Sequence, residues 1–151
     1  MTNHENFYLL SPIQGEALNQ NFSVKQALLK ENWIITADPL KIKIEGIKLE
    51  VDLGAEKIIA AQKAEQKIAV EIKSFLKTST ITDFHNALGQ FLNYRLALQM
   101  IESDRILYLA VPFDTFKSFF QEKFIQEAVK FYQVKLLIYN PTEEIIIEWK
   151  N

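Results

Sequence analysis

A chain of 151 residues, 48% hydrophobic and 24% charged, has room for one hydrophobic core and the balance of an ordinary globular protein. It contains no cysteine, which excludes disulfides and thiolate metal sites and fits a reducing, cytoplasmic setting. A net charge of −2 excludes a uniformly basic nucleic-acid coat, although residues 41–77 hold eight lysines against six acids.

In chain order, "MTNHENFYLL" has no basic n-region, so no signal peptide is expected. Residues 1–18, with Pro12 and Gly15 and no clear period, read as an irregular N-terminal arm to an α/β domain over 19–151, one domain in all. "NFSVKQALLKENW" has helical apolar spacing, and the β-branched "WIITADP" ends on the turn signal Asp38-Pro39. Alternation in "LKIKIEGIKLEVDLG" predicts a β-hairpin turning at Glu45-Gly46, and Gly54 lets the backbone turn or come close to something. "AEKIIAAQKAEQ" suits a short strand or a helical turn; the strand, paired in a hairpin with "KIAVEIKSF", is preferred. Thr80 and Asp83 have capping-box spacing at the start of the longest helix, which runs to about Ile101 with Ala87, Phe91, Tyr94, Leu98 and Ile101 on its apolar face. "RILYLAV" is a continuous apolar run of the kind buried on both faces, and Pro112 ends it. One helix over "DTFKSFFQEKFIQEAVKFY", a buried strand "VKLLIY", a turn at Asn140-Pro141 and a strand "EIIIEW" complete the chain. This order predicts a central mixed β-sheet flanked by helices. No apolar run approaches the roughly 20 residues that span a bilayer, so no membrane partner is expected.

Three Glu-x-Lys triplets occur, and as a bare motif each reads most simply as a solvated surface pair. Only Glu71-Ile72-Lys73 is embedded in an apolar strand. Asp52 lies 19 positions before Glu71, at the end of a hairpin strand, where adjacent antiparallel strands would bring the two carboxylates together. Such a pair repels unless a proton or cation lies between them. A hard divalent ion, Mg²⁺ or Mn²⁺, suits Asp52, Glu71 and the Ile72 carbonyl. Lys73 would orient water or offset transition-state charge, so the chemistry implied is metal-assisted phosphodiester hydrolysis. Gln90 and Tyr94, four apart, share a helix face that could reach a nucleic-acid backbone, though Tyr94 equally suits the core. Gly89 weakens that helix, which close approach to another backbone would explain. Glu56 is a candidate third acid or a surface residue. His4 and His85 lack partners at ligand spacing, and no Gly-rich phosphate loop or Gly-x-Ser-x-Gly elbow occurs. The phenylalanines at 116, 119, 120, 124 and 131 suit a core or a homodimer surface.

"VDLGAEKIIAAQKAEQKIAVEIKSF" followed by "ITDFHNALGQFLNYRLAL" resembles the XisH family, the fdxN-element excision controlling factors of cyanobacteria, from about Trp33 to Trp149. The resemblance implies a PD-(D/E)XK, restriction-endonuclease-like fold. It places the acidic pair on Asp52 and Glu71, the lysine on Lys73 and the helix Gln-x-x-x-Tyr on Gln90 and Tyr94. It also implies control of DNA-element excision during cell differentiation, as in heterocysts, with a small XisI-like partner protein; recombination falls to a separate recombinase. One departure stands out: where the family opens its first helix with Phe-His and an acid, this chain reads Gln20-Asn21-Phe22-Ser23. A catalytically weak or inactive regulatory module that binds DNA or a partner is the alternative implied.

Overall fold

The computed structural model describes residues 12–59, 64–75 and 79–151. Helix α1 (Pro12–Lys30) is followed by β1 (Ile34–Ala37), β2 (Leu40–Ile44), β3 (Ile47–Val51), β4 (Leu53–Ile59) and β5 (Ala64–Ile72). After these come α2 (Thr80–Ile101), β6 (Arg105–Pro112), the short α3 (Phe113–Lys117), a 3₁₀ turn (Phe119–Gln121), α4 (Lys123–Phe131), β7 (Leu136–Asn140) and β8 (Ile145–Lys150).

Six strands form one mixed sheet in the order β1-β4-β5-β6-β7-β8, parallel at β5–β6 and β6–β7 and antiparallel elsewhere. The expected α/β class, a mixed sheet flanked by helices, is the class observed. Side chains alternate across each strand. Leu107, Leu109 and Val111 therefore enter a core with Phe84, Ala87, Phe91 and Leu98 of α2, while Tyr108 and Ala110 pack opposite, with Val24 and Leu28 of α1. The ribbon β2–β3 is a separate two-stranded sheet whose inner residues Ile42 and Val51 join the α2-side core. Glu45 and Gly46 both have positive φ, as a two-residue type I′ connection requires.

Four local expectations are corrected. Residues 12–18 are helical, because proline is pre-organised for a first helical turn; residues 1–11 of the expected arm lie outside the described residues. The cap of α2 is Ser79, whose Oγ accepts from the Thr82 N–H at 3.3 Å, so Thr80 and Asp83 form no capping box. Asp83 is buried instead, with Oδ1 unpartnered among the described residues. Ile101 is exposed at the end of α2, beyond the core. The segment 114–132 is broken at Ser118, whose hydroxyl bonds back to the Asp114 carbonyl at 2.8 Å, and at Glu122, which is extended. That break lets Phe120 enter the core and sets Phe119 against it, while Phe124 and Phe131 stay exposed. No described helix is long and apolar enough to cross a membrane.

Candidate active site

Asp52 occupies the single residue between β3 and β4. Because Leu53 pairs with Val70 across the antiparallel β4–β5 ladder, Asp52 falls opposite Glu71 at the carboxyl end of β5. The two residues grip each other. The Asp52 N–H donates to Glu71 Oε1 at 3.3 Å, and the Ile72 N–H donates to Asp52 Oδ2 at 2.7 Å. Asp52, Glu71 and the Ile72 N–H thus lie together, brought there by the β4–β5 pairing and not by the hairpin strand β3, which pairs with β2.

Glu71 is 7% exposed. Burial first, and then the charge of Asp52, push its carboxyl up to about 8. Burial also raises Asp52, against the Ile72 N–H, the hydrogen bond with Glu71 and the Lys73 charge, while Asp38 adds to the rise. The physical picture is two neighbouring carboxyls that share a proton, because burial disfavours a second negative charge more than Lys73 offsets it. This donor set fits a hard divalent cation, which takes one or two carboxylates and keeps several waters. Among the described residues no group of three or more His, Cys, Asp or Glu is gathered for a metal, so an ion here would rest on two carboxylates and the Ile72 carbonyl.

Lys73 comes immediately after β5, its N–H bonded to the Ala110 carbonyl at 3.2 Å, and its charge lowers both carboxyls. Phe75, two residues on, has φ +57°, a left-handed conformation that is strained for a bulky side chain. Its ring packs with Phe120 at 5.4 Å and Phe119 at 6.3 Å, and that burial holds the strained end of the strand in place.

Tyr94, half-buried on α2, completes the near side. Burial, followed by the charges of Glu71, Asp52 and Glu50, raises its phenol above the ordinary range. Gln90 lies one turn earlier, exposed, and makes no side-chain hydrogen bond among the described residues. Gly89 is also exposed, and a Cβ there would meet nothing within 4 Å among the described residues, none of which explains it.

Glu56 is not part of this cluster. Its carboxylate lies 3.2 Å from Nη2 of Arg105, which also grips both Glu102 oxygens at 2.8 and 3.0 Å and donates to the Ile68 carbonyl. A long-range ion network claims the proposed third acid. Gly54 lies against β1: a Cβ would come within 3.3 Å of Ala37 Cβ, tighter than ordinary contact. Of the two readings of Gly54, close approach is therefore the one observed. On α1, Ser23 donates to the Pro141 carbonyl at 2.9 Å, so this position of the departing first-helix segment is used in packing. His85 is exposed. Sequence reading missed Asp38, whose charge reaches Asp52; its only signal was the following proline.

With this geometry in hand, comparison with known proteins is informative. The family model described as XisH protein matches residues 19–147. A crystal structure of an XisH family protein from Nostoc punctiforme is 47% identical, with a TM-score of 0.81, the match covering 88% of this chain and 99% of that one. A crystal structure of a fdxN element excision controlling factor protein from Anabaena variabilis is 50% identical, with a TM-score of 0.80, covering 88% and 98%. No curated protein matches.

Proposed function

This chain belongs to the XisH family, and from that premise we propose that it is an excision controlling factor for a DNA element, built on a PD-(D/E)XK nuclease-like core. The observation that carries the nuclease reading is the buried Asp52–Glu71 pair, held by reciprocal backbone bonds at the carboxyl end of β5. Burying two carboxyls together costs stability and contributes nothing to packing, which is the mark of a site kept for a ligand.

The ligand proposed is Mg²⁺ or Mn²⁺, held by Asp52, Glu71 and the Ile72 carbonyl. When bound, such an ion polarises a phosphate oxygen and acidifies its waters. Asp52 is oriented by the Ile72 N–H, and Glu71 is kept from bulk water by burial. Lys73 supplies fixed positive charge beside them, where the phosphodiester gains negative charge. Tyr94 keeps its proton and so can donate a hydrogen bond to a phosphate oxygen. Gln90, exposed one turn away, is placed for the nucleic-acid backbone, and Gly89 leaves that helix surface open to close approach. A small XisI-like protein and a second copy of the chain are the protein partners proposed, in the cytoplasm.

The test is cleavage of duplex, branched and single-stranded DNA with Mg²⁺ or Mn²⁺, beside Asp52→Asn and Glu71→Gln. Metal-dependent cleavage lost in both variants supports the reading; activity surviving in both contradicts it.

A second reading, a regulatory module without catalysis, is favoured by the packing role of Ser23 on α1 and by the diversion of Glu56 to Arg105. It requires that DNA or partner binding persist in Glu71→Gln while no cleavage is detected in either protein.

A further inference from the structure

A groove of about 950 Å³ lies between α2, the broken helical segment and the β7–β8 edge, and none of the candidate active-site residues lines it. Its apolar wall includes Leu92 and Leu96 of α2, Val129 of α4, and Val134 and Leu136. Around that wall stand Arg95, Lys130, Lys135 and Lys150, without a single carboxylate side chain among the lining residues. In a chain of net charge −2, this is a marked local segregation of positive charge.

Two of these cations, Lys130 and Lys135, have no carboxylate partner within 4.0 Å among the described residues, and Lys150 has only the half-exposed Glu148, at 3.4 Å. Arg95 is structural in part: its Nη1 bonds the Tyr132 and Gln133 carbonyls at 2.8 and 2.9 Å, tying the end of α4 to α2 and fixing the groove's width. Further apolar side chains are exposed on the same two helices. Leu96 is 58% exposed, Met100 one turn further along α2 is 62% exposed, and Phe131 beside Lys130 is 79% exposed.

We propose that this groove docks an acidic, amphipathic helix of a partner protein. An apolar floor between two helical walls takes a helix's anchor residues at i, i+3, i+4 and i+7. The cations of the groove, Lys130 and Lys135 foremost, select carboxylates on the flanks of that helix and reject basic ones. Nucleic acid fits less well: a phosphate backbone has nothing to bury against Leu92, Leu96 and Val129, and protein–DNA interfaces are dominated by polar contacts.

The probes are two designed helical peptides with the same Leu and Phe anchors, one flanked by glutamates and the other by lysines, and a short random-sequence DNA duplex. The Glu peptide is expected to bind the full chain and to shift the NMR resonances of Leu96 and Val129. Lys130→Glu with Lys135→Glu is expected to weaken the Glu peptide by at least about tenfold and to strengthen the Lys peptide. That swap in preference separates electrostatic selection from damage to the fold. No binding by the Glu peptide, equal binding of both peptides by the parent chain, an unchanged preference in the double variant, or a duplex that displaces the Glu peptide would each overturn the proposal.

Discussion

Replacing Glu71 with glutamine keeps the shape of the Asp52–Glu71 pair while removing the group that must ionise. In the folded chain the Glu71 carboxyl titrates at about 8, against 4.5 when unperturbed. Between those values the folded state holds a proton that the unfolded state has released, so stability must fall as pH rises. Its contribution is intact below about 4.5, declines through the interval and is fully lost above about 8. At about 1.4 kcal/mol per unit, the metal-free protein should lose on the order of 3–5 kcal/mol across this range through the pair. In Glu71→Gln the side-chain amide oxygen still accepts from the Asp52 N–H, and the amide N–H donates to the Asp52 carboxylate without a titrating proton. Urea unfolding with chelator at pH values near 5 and 9 should therefore show a steep loss for the parent chain and a much shallower one for Glu71→Gln. Added Mg²⁺ should restore the parent at high pH, since an ion that binds only the folded state stabilises it, and should do little for the variant. Parallel pH profiles for the two proteins would refute the shared-proton picture of the site.

Further expectations rest on other parts of the fold. Arg105→Met should destabilise by about 3–5 kcal/mol in denaturant unfolding, because Glu102 and Glu56 would lose a guanidinium whose side chain is 5% exposed. Ser79→Ala should cost about 1 kcal/mol by removing the oxygen that accepts from the Thr82 N–H, whereas Thr80→Ala should change stability far less. Gly89→Ala should stabilise by about 0.5–1 kcal/mol, since the new methyl meets nothing within 4 Å; if the helix face serves DNA, the same substitution should weaken DNA binding while the melting temperature rises.

The candidate site was legible in the sequence because its parts lie on neighbouring strands. The apolar stretches "LGAEKII" and "AEQKIAVEI" read as one antiparallel hairpin, and Asp52, the residue just before the first of them, falls opposite Glu71 in the second. The features that escaped reading depend on contacts distant in the chain or on close local competition. Arg105 meets Glu56 across 49 positions, and nothing in "AEK" distinguishes an acid bound for that guanidinium from one bound for a metal. Ser79 and Thr80 are adjacent hydroxyl residues, and spacing alone could not decide which one caps α2. The break at Ser118 follows from seating Phe120 in the core, a packing demand invisible in helical periodicity. The basic groove brings together Arg95, Lys130 and Lys150 from three elements, none carrying a charge run of its own.

The most direct test of the central claim is a crystal structure of the chain soaked in Mn²⁺, with anomalous scattering to locate the ion. The expected result is an ion bound between the Asp52 and Glu71 carboxylates, absent from Glu71→Gln crystals grown and soaked alike. Strong anomalous density elsewhere, with Asp52 and Glu71 still joined by a proton, would contradict it.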